Sequence, residues 1–217
     1  MDPEYTLQLF VILHFMKKIR NISEGEMIAV FLQTEINSNR WSSNILSLLD
    51  KDGKSRTIID KPDLANTEEN NYRKKLLGDF RGYGRNEELF TDFPNDVTWI
   101  RAKLNREELA KIKYMDFSYW NELSNHTRLA KIGAEIIKTG KTIFNQSNEG
   151  FIKAAEAVKQ GVPFPEMILI SKDKQSELVV LEGHQRITAY LLSSEYMPKE
   201  LEVIIGYSKD MGQWGGY

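Results

Sequence analysis

The segment Glu177-Leu178-Val179-Val180-Leu181-Glu182-Gly183-His184-Gln185-Arg186-Ile187-Thr188-Ala189-Tyr190 constrains the fold most. Leu178 to Leu181 is dense in branched residues and reads as a strand. Gly183 breaks it, and Gln185 to Ser193 reads as a helix. The flanks continue the alternation. Met167 to Ile170 is a short apolar strand, Asp173 to Ser176 a polar turn, and Leu201 to Ile205 a closing strand. Strands alternating with helices place this part in the α/β (α+β) class.

Upstream, helices dominate. Ser23 to Gln33 opens on an N-capping serine with Glu26 three residues later. Ser42 to Leu49 is apolar on one side and ends at Asp52-Gly53. Thr67 to Phe80 carries Tyr72, Leu76, Leu77 and Phe80 on one face, with Glu68, Glu69, Arg73, Lys74 and Lys75 expected in solvent. Val97 to Leu104 alternates as a strand, Asn105 to Ile112 begins as a capped short helix, and a strand is expected at 111–115. The helices Leu129 to Thr139 and Asn148 to Gln160 each stop at a glycine, Gly140 and Gly161. Residues 1–100 thus read as a mainly helical region and 101–217 as an α/β module, with the boundary near 95–115.

A strand–glycine–helix junction suits an anion. Glycine admits close backbone approach, and the helix start offers unpaired N–H groups and a positive dipole end. Here Glu182, His184, Gln185 and Arg186 crowd the same turn. Arg186 has the fork geometry for a phosphate, and Glu182 suits Mg2+ or the proton of a substrate hydroxyl. The plain alternative is a solvated helix start, and the density of polar groups favours a ligand site.

Glu-Gly-His-Gln-Arg-Ile-Thr-Ala-Tyr resembles the signature turn of the ParB/sulfiredoxin superfamily. In that superfamily ParB carries Gly-Glu-Arg-Arg on the phosphates of CTP, sulfiredoxins carry Gly-Gly-Cys-His-Arg, and free serine kinases carry Asp-Gly-His-His-Arg. The last is nearest: Gly183, His184 and Arg186 match, Glu182 replaces the aspartate, and Gln185 replaces the second histidine. Element order extends the resemblance over roughly 112–207. It implies a small mixed sheet with helices that binds a nucleotide (ATP, ADP or CTP) with Mg2+. Glu182 and His184 would be catalytic, and Gly183, Gln185, Arg186 and Thr188 would line the phosphates. An arginine-bearing segment before a helix faces the nucleotide in such folds. Thr127 and Arg128 fill that place here, against the alternative of a plain connecting loop. Leu77 to Gly84 and Tyr119 to Ser124 also resemble patterns in a family of bacterial proteins with this end module.

The chain has 217 residues and no cysteine, which excludes sulfiredoxin chemistry, thiolate metal sites and disulfides, and fits a cytoplasmic protein. Net charge is −2, so no global field draws it to DNA. Residues 191–217 are too short for the DNA reader that follows this module in ParB. A nuclease-like reading has no acidic metal cluster to support it. The expected function is a Mg-dependent phosphotransferase or NTPase, with a nucleotide-gated binding module as the alternative. The expected partners are a nucleotide and a small-molecule acceptor, with no membrane, and a homo-oligomer is left open.

Three further features bear on the site. Arg81-Gly82-Tyr83-Gly84-Arg85 is a basic, aromatic loop read as a substrate loop through Arg81, Tyr83 and Arg85. Leu7 to Met16 is an apolar run too short to span a bilayer, and Met16 reads like a natural start. Trp214 to Tyr217 reads as an aromatic anchor for the tail.

Overall fold

The computed structural model describes residues 16–217, so the readings made for Leu7 to Met16 and for His14 lie outside it, apart from Met16 itself. In chain order the elements are β1 (Lys17–Ile22), α1 (Glu24–Glu35), α2 (Ser42–Lys51), α3 (Thr57–Asp60), α4 (Thr67–Arg81), β2 (Thr98–Asn105), α5 (Arg106–Leu109), α6 (Ser118–Leu123), α7 (Ala130–Lys138), α8 (Glu149–Lys159), β3 (Met167–Ser171), β4 (Val179–Glu182), α9 (His184–Leu192) and β5 (Glu200–Tyr207). The fold is mixed α+β.

The five strands form one sheet in the order β1-β2-β5-β3-β4. Only β3 and β5 run parallel; the other neighbours are antiparallel. Alternation along each strand divides the core into two. Ala102, Leu104, Leu169, Val180, Val203 and Ile205 face α7, α8 and α9. Trp99, Ile168, Ile170, Val179, Leu181 and Ile204 face α1, α2 and α4. The N-terminal helices therefore cover one face of the sheet that residues 101–217 complete, and β1 extends that same sheet.

Most boundaries follow from local chemistry. Ser23 caps α1 by accepting from the Glu26 amide at 3.1 Å. The Glu26 carboxylate does not return to the cap but pairs with Arg20 and Arg101. Asn66 caps α4, its side chain accepting from the Glu69 amide. Asn105 and Glu108 form a reciprocal capping box at α5. Gly82, Gly140 and Gly161 end their helices in the left-handed region.

Two expectations need correction, and a third is borne out. Arg73 is fully buried, because its guanidinium donates to the carbonyls of Ile58 and Asp63 and to Glu69 and Asn70. The expected strand at 111–115 is reduced to bridges of Lys113 with Leu129 and Val179, with Lys113 covering the outer edge of β4. The tail anchor holds as read: Trp214 is buried against Phe93 and donates to the Leu89 carbonyl at 2.7 Å.

Candidate functional site

The site grows from the end of β4. Glu182 closes the strand, Gly183 turns with φ +112°, and α9 starts at His184. A Cβ on Gly183 would lie 2.8 Å from Met167 Cγ and 3.2 Å from Arg186 Nη2, so both the backbone angle and the packing require glycine. No side chain caps α9, which leaves its first turn with a positive dipole end and free backbone donors.

Arg186 reaches back under this turn. It is 8% exposed, and Nη1 donates to the carbonyls of Pro165 and Glu166, each at 2.8 Å. Nη2 is ion-paired with the Glu182 carboxylate. Burial lowers the Arg186 guanidinium to about 10, against the opposing pull of Glu35. It stays charged at neutral pH. One residue thus ties the approach to β3, the end of β4 and the start of α9.

His184 lies flat on Trp120, with ring centres 4.7 Å apart and planes 15° from parallel. Tyr114 continues the stack at 6.1 Å. Burial, helped by the charge of Arg81, pushes the imidazole down to about 3. His184 is therefore neutral at physiological pH, and its Nε2 is buried without a hydrogen-bond partner. Gln185 turns away and donates to the Gly150 carbonyl at 2.7 Å, setting the starts of α8 and α9 side by side.

The substrate loop expected at 81–85 divides. Arg81, the last residue of α4, comes to the turn: it acts on His184 and sits 4.7 Å over the Trp41 ring. Tyr83 is buried on Phe90 with its hydroxyl donating to Glu24. Arg85 pairs with Asp79. Neither of the last two faces the turn residues, because each already has its partner within the N-terminal layer.

Three further predicted contacts are spent inside the protein. Thr188 is fully buried, 2.6 Å from the Tyr114 hydroxyl and donating to the His184 carbonyl at 2.7 Å. Thr127 holds its own turn through Ser124 and Leu129. Arg128 donates to the carbonyls of Tyr114, Gly216 and Tyr217. The 124–128 segment is thus a clasp on the tail. Of the predicted set, Glu182, Gly183, His184, Arg186 and Arg81 come together.

Sequence reasoning missed Glu35, Arg40, Trp41, Trp120 and Glu166. Trp41 and Trp120 read as packing residues, and no local motif marks the other three. A different signal picks the place out: buried polar atoms without a hydrogen-bond partner are rare. Here Arg81 Nε, His184 Nε2, Glu166 Oε1 and Arg101 Nε are such atoms, and single ones also occur away from the turn at Arg73, Asn121 and Asn148. Arg186 Nη2 and Glu182 Oε2 have only each other, as the ion pair. Glu166 binds Arg101 at 2.6 Å while Arg186 holds its carbonyl. Two shallow clefts, of about 330 and 220 Å³, lie at the opposite end of α9 around Ser193 and Lys159. No polar atom of the turn lines them.

Compared with known proteins, the chain matches no family model, no curated protein and no solved structure. Among the described residues no helix is long and apolar enough to cross a membrane.

Proposed function

We propose that this is a nucleotide-binding protein of the ParB/sulfiredoxin type, acting as a phosphotransferase or NTPase at the start of α9. The observation that carries the reading is the cluster of under-bonded buried polar atoms beside an uncapped helix start. Such groups are costly unless a ligand or water completes them. Phosphate oxygens accept hydrogen bonds, and the donors at Arg81 and the α9 backbone, with Arg186 once it is released from Glu182, match them.

The Arg186–Glu182 pair gives the binding step its form. An incoming phosphate takes over Nη2 of Arg186, and the Glu182 carboxylate is released. Glu182 then faces the bound phosphate, where it accepts the proton of an acceptor hydroxyl. Among the described residues no three His, Cys, Asp or Glu side chains gather as a metal site. One carboxylate with phosphate oxygens is an ordinary Mg2+ environment, so Glu182 fits a metal that arrives with the nucleotide. Neutral His184 offers one ring nitrogen as donor or acceptor but no charge, and so orients a ligand rather than attracting one.

The test is thermal stabilisation by ATP, ADP, CTP and GTP, each with and without Mg2+. A ligand that binds only the folded chain raises its apparent stability. The expected result is a shift with one nucleotide that is lost in Arg186→Lys, where the two-pronged contact is gone. Glu182→Gln should keep the shift and lose turnover. No shift with any nucleotide at millimolar concentration would overturn the reading.

The exchange of the ion pair also favours a second reading, a nucleotide-gated module without turnover. Freeing Arg186 from Glu182 alters a contact that links the approach to β3, the end of β4 and α9. Binding with no product formation, together with a change in oligomeric state, would select it.

A further inference from the structure

We infer that the N-terminal layer supplies a second anion subsite beside the α9 turn, built by Arg40, Trp41 and Arg81, whose occupant is the second phosphate of a diphosphate-bearing ligand, with Glu35 balancing the charge in the ligand-free chain. The inference rests on the turn being a phosphate site, and it assigns new residues and a ligand class to it.

Two guanidinium groups converge on one indole. Arg40 lies 4.9 Å and Arg81 4.7 Å from the ring centre of Trp41. Stacking on a ring face fixes a guanidinium while leaving its N–H edge free for an anion. That edge is free at Arg81, whose buried Nε has no hydrogen-bond partner. Trp41 itself is half-buried and braced by Phe80.

Glu35 links this pair to the turn. It is 8% exposed, and the arginines whose charge acts on it are Arg81, Arg40 and Arg186. Burial nevertheless raises its carboxyl above the usual range. Among the described residues it makes no direct ion pair with any of the three, although the charge of each acts on it. Exposed Glu88 also faces Arg81, and Glu182 already belongs to Arg186. A purely structural cluster would close into direct pairs. A buried carboxylate under the charge of three arginines, and ion-paired with none of them among the described residues, suits two linked anionic groups, one at Arg186 and one at Arg81 and Arg40. In that geometry Glu35 competes with the ligand, so removing its charge strengthens binding.

The experiment is calorimetric titration of the full chain with inorganic pyrophosphate and with orthophosphate. Wild type is expected to bind pyrophosphate at least ~10-fold more tightly than orthophosphate, a modest gain for a second charged contact. Arg40 is exposed, so Arg40→Ala leaves the fold intact; it should weaken pyrophosphate by roughly fivefold and leave orthophosphate unchanged. Glu35→Gln should tighten pyrophosphate. Equal affinities for the two anions, or an Arg40→Ala variant that binds pyrophosphate like wild type, would overturn the subsite, and Arg40→Ala decides the matter alone if Glu35→Gln fails to fold. Orthophosphate binding lost in Arg186→Lys with Arg40→Ala and Glu35→Gln silent would sink this subsite and spare the turn. A wild-type chain that binds neither anion would sink both.

Discussion

Tyr114 and Thr188, 74 positions apart, meet through their hydroxyls at 2.6 Å with neither side chain exposed. The contact pins α9 to the connection between α5 and α6. Burial raises the Tyr114 phenol, so it is protonated throughout the working pH range. Thr188→Val should cost roughly 1–2 kcal/mol, the size expected when a buried hydroxyl loses its partner. Because Thr188 sits behind the turn, anion affinity should not change. A double-mutant cycle with Tyr114→Phe, read by urea unfolding, should show the two losses to be non-additive. Loss of anion binding in folded Thr188→Val would return this residue to the ligand.

Gly183→Ala tests the turn itself. The substitution forces a Cβ into the left-handed region and onto Met167, where it lies 2.8 Å from Cγ. Backbone strain and overpacking together predict a loss of about 2–4 kcal/mol. Met167 is buried in β3, so it has little room to withdraw. Denaturant melts check the figure, and a near-neutral result would mean that the turn is softer than its geometry indicates.

Arg128→Ala should release the tail. Three backbone carbonyls, at Tyr114, Gly216 and Tyr217, lose their donor together. Amide exchange should rise across residues 214–217, while the α9 amides stay protected. Arg128→Lys should not rescue, since one ammonium cannot reproduce the fork. Unchanged exchange in the tail would show that Trp214, the Asp116 amide on Gly216 and the Tyr217 hydroxyl on Glu177 hold it without Arg128.

How much of this was legible beforehand depended on whether the signal was local. Ser23, Asn105 and the stop glycines announced their helices, because a cap is a contact within three or four residues. The strand–Gly183–helix junction was equally plain. β1 was not: Lys17–Ile22 is an exposed edge strand without apolar alternation, and only its pairing with β2 makes it a strand. Arg73 looked solvated because its partners lie 10 and 15 positions back. Within the site, Arg186 and Glu182 were readable as neighbours in one turn. Glu35 and Arg40 sit at and beyond the end of α1 in polar sequence, and only the packing of that layer on the sheet brings them near Arg186. Conversely, Thr188 and Arg128 read as ligand contacts, and their side chains are found on internal partners that no local signal announces.

The titration of His184 carries the last prediction. In the folded chain its imidazole lies at about 3, pushed down by burial and then by Arg81, against an ordinary value of 6.5. Between these values the unfolded chain binds a proton that the folded chain refuses. Stability should therefore be fully present above about pH 6.5 and decline as pH falls toward 3. The share due to His184 is on the order of a few kcal/mol at the acid end, reduced by whatever solvent reaches the ring edge. Carboxylates lose stability over part of the same range, so the informative quantity is a difference. His184→Gln removes the titrating ring while keeping a polar side chain, and the gap in unfolding free energy between wild type and variant should narrow steadily from pH 7 to pH 4. A gap that is constant with pH would mean that the imidazole protonates freely in the folded chain, and the half-buried stack on Trp120 would have to open to admit the proton at Nε2.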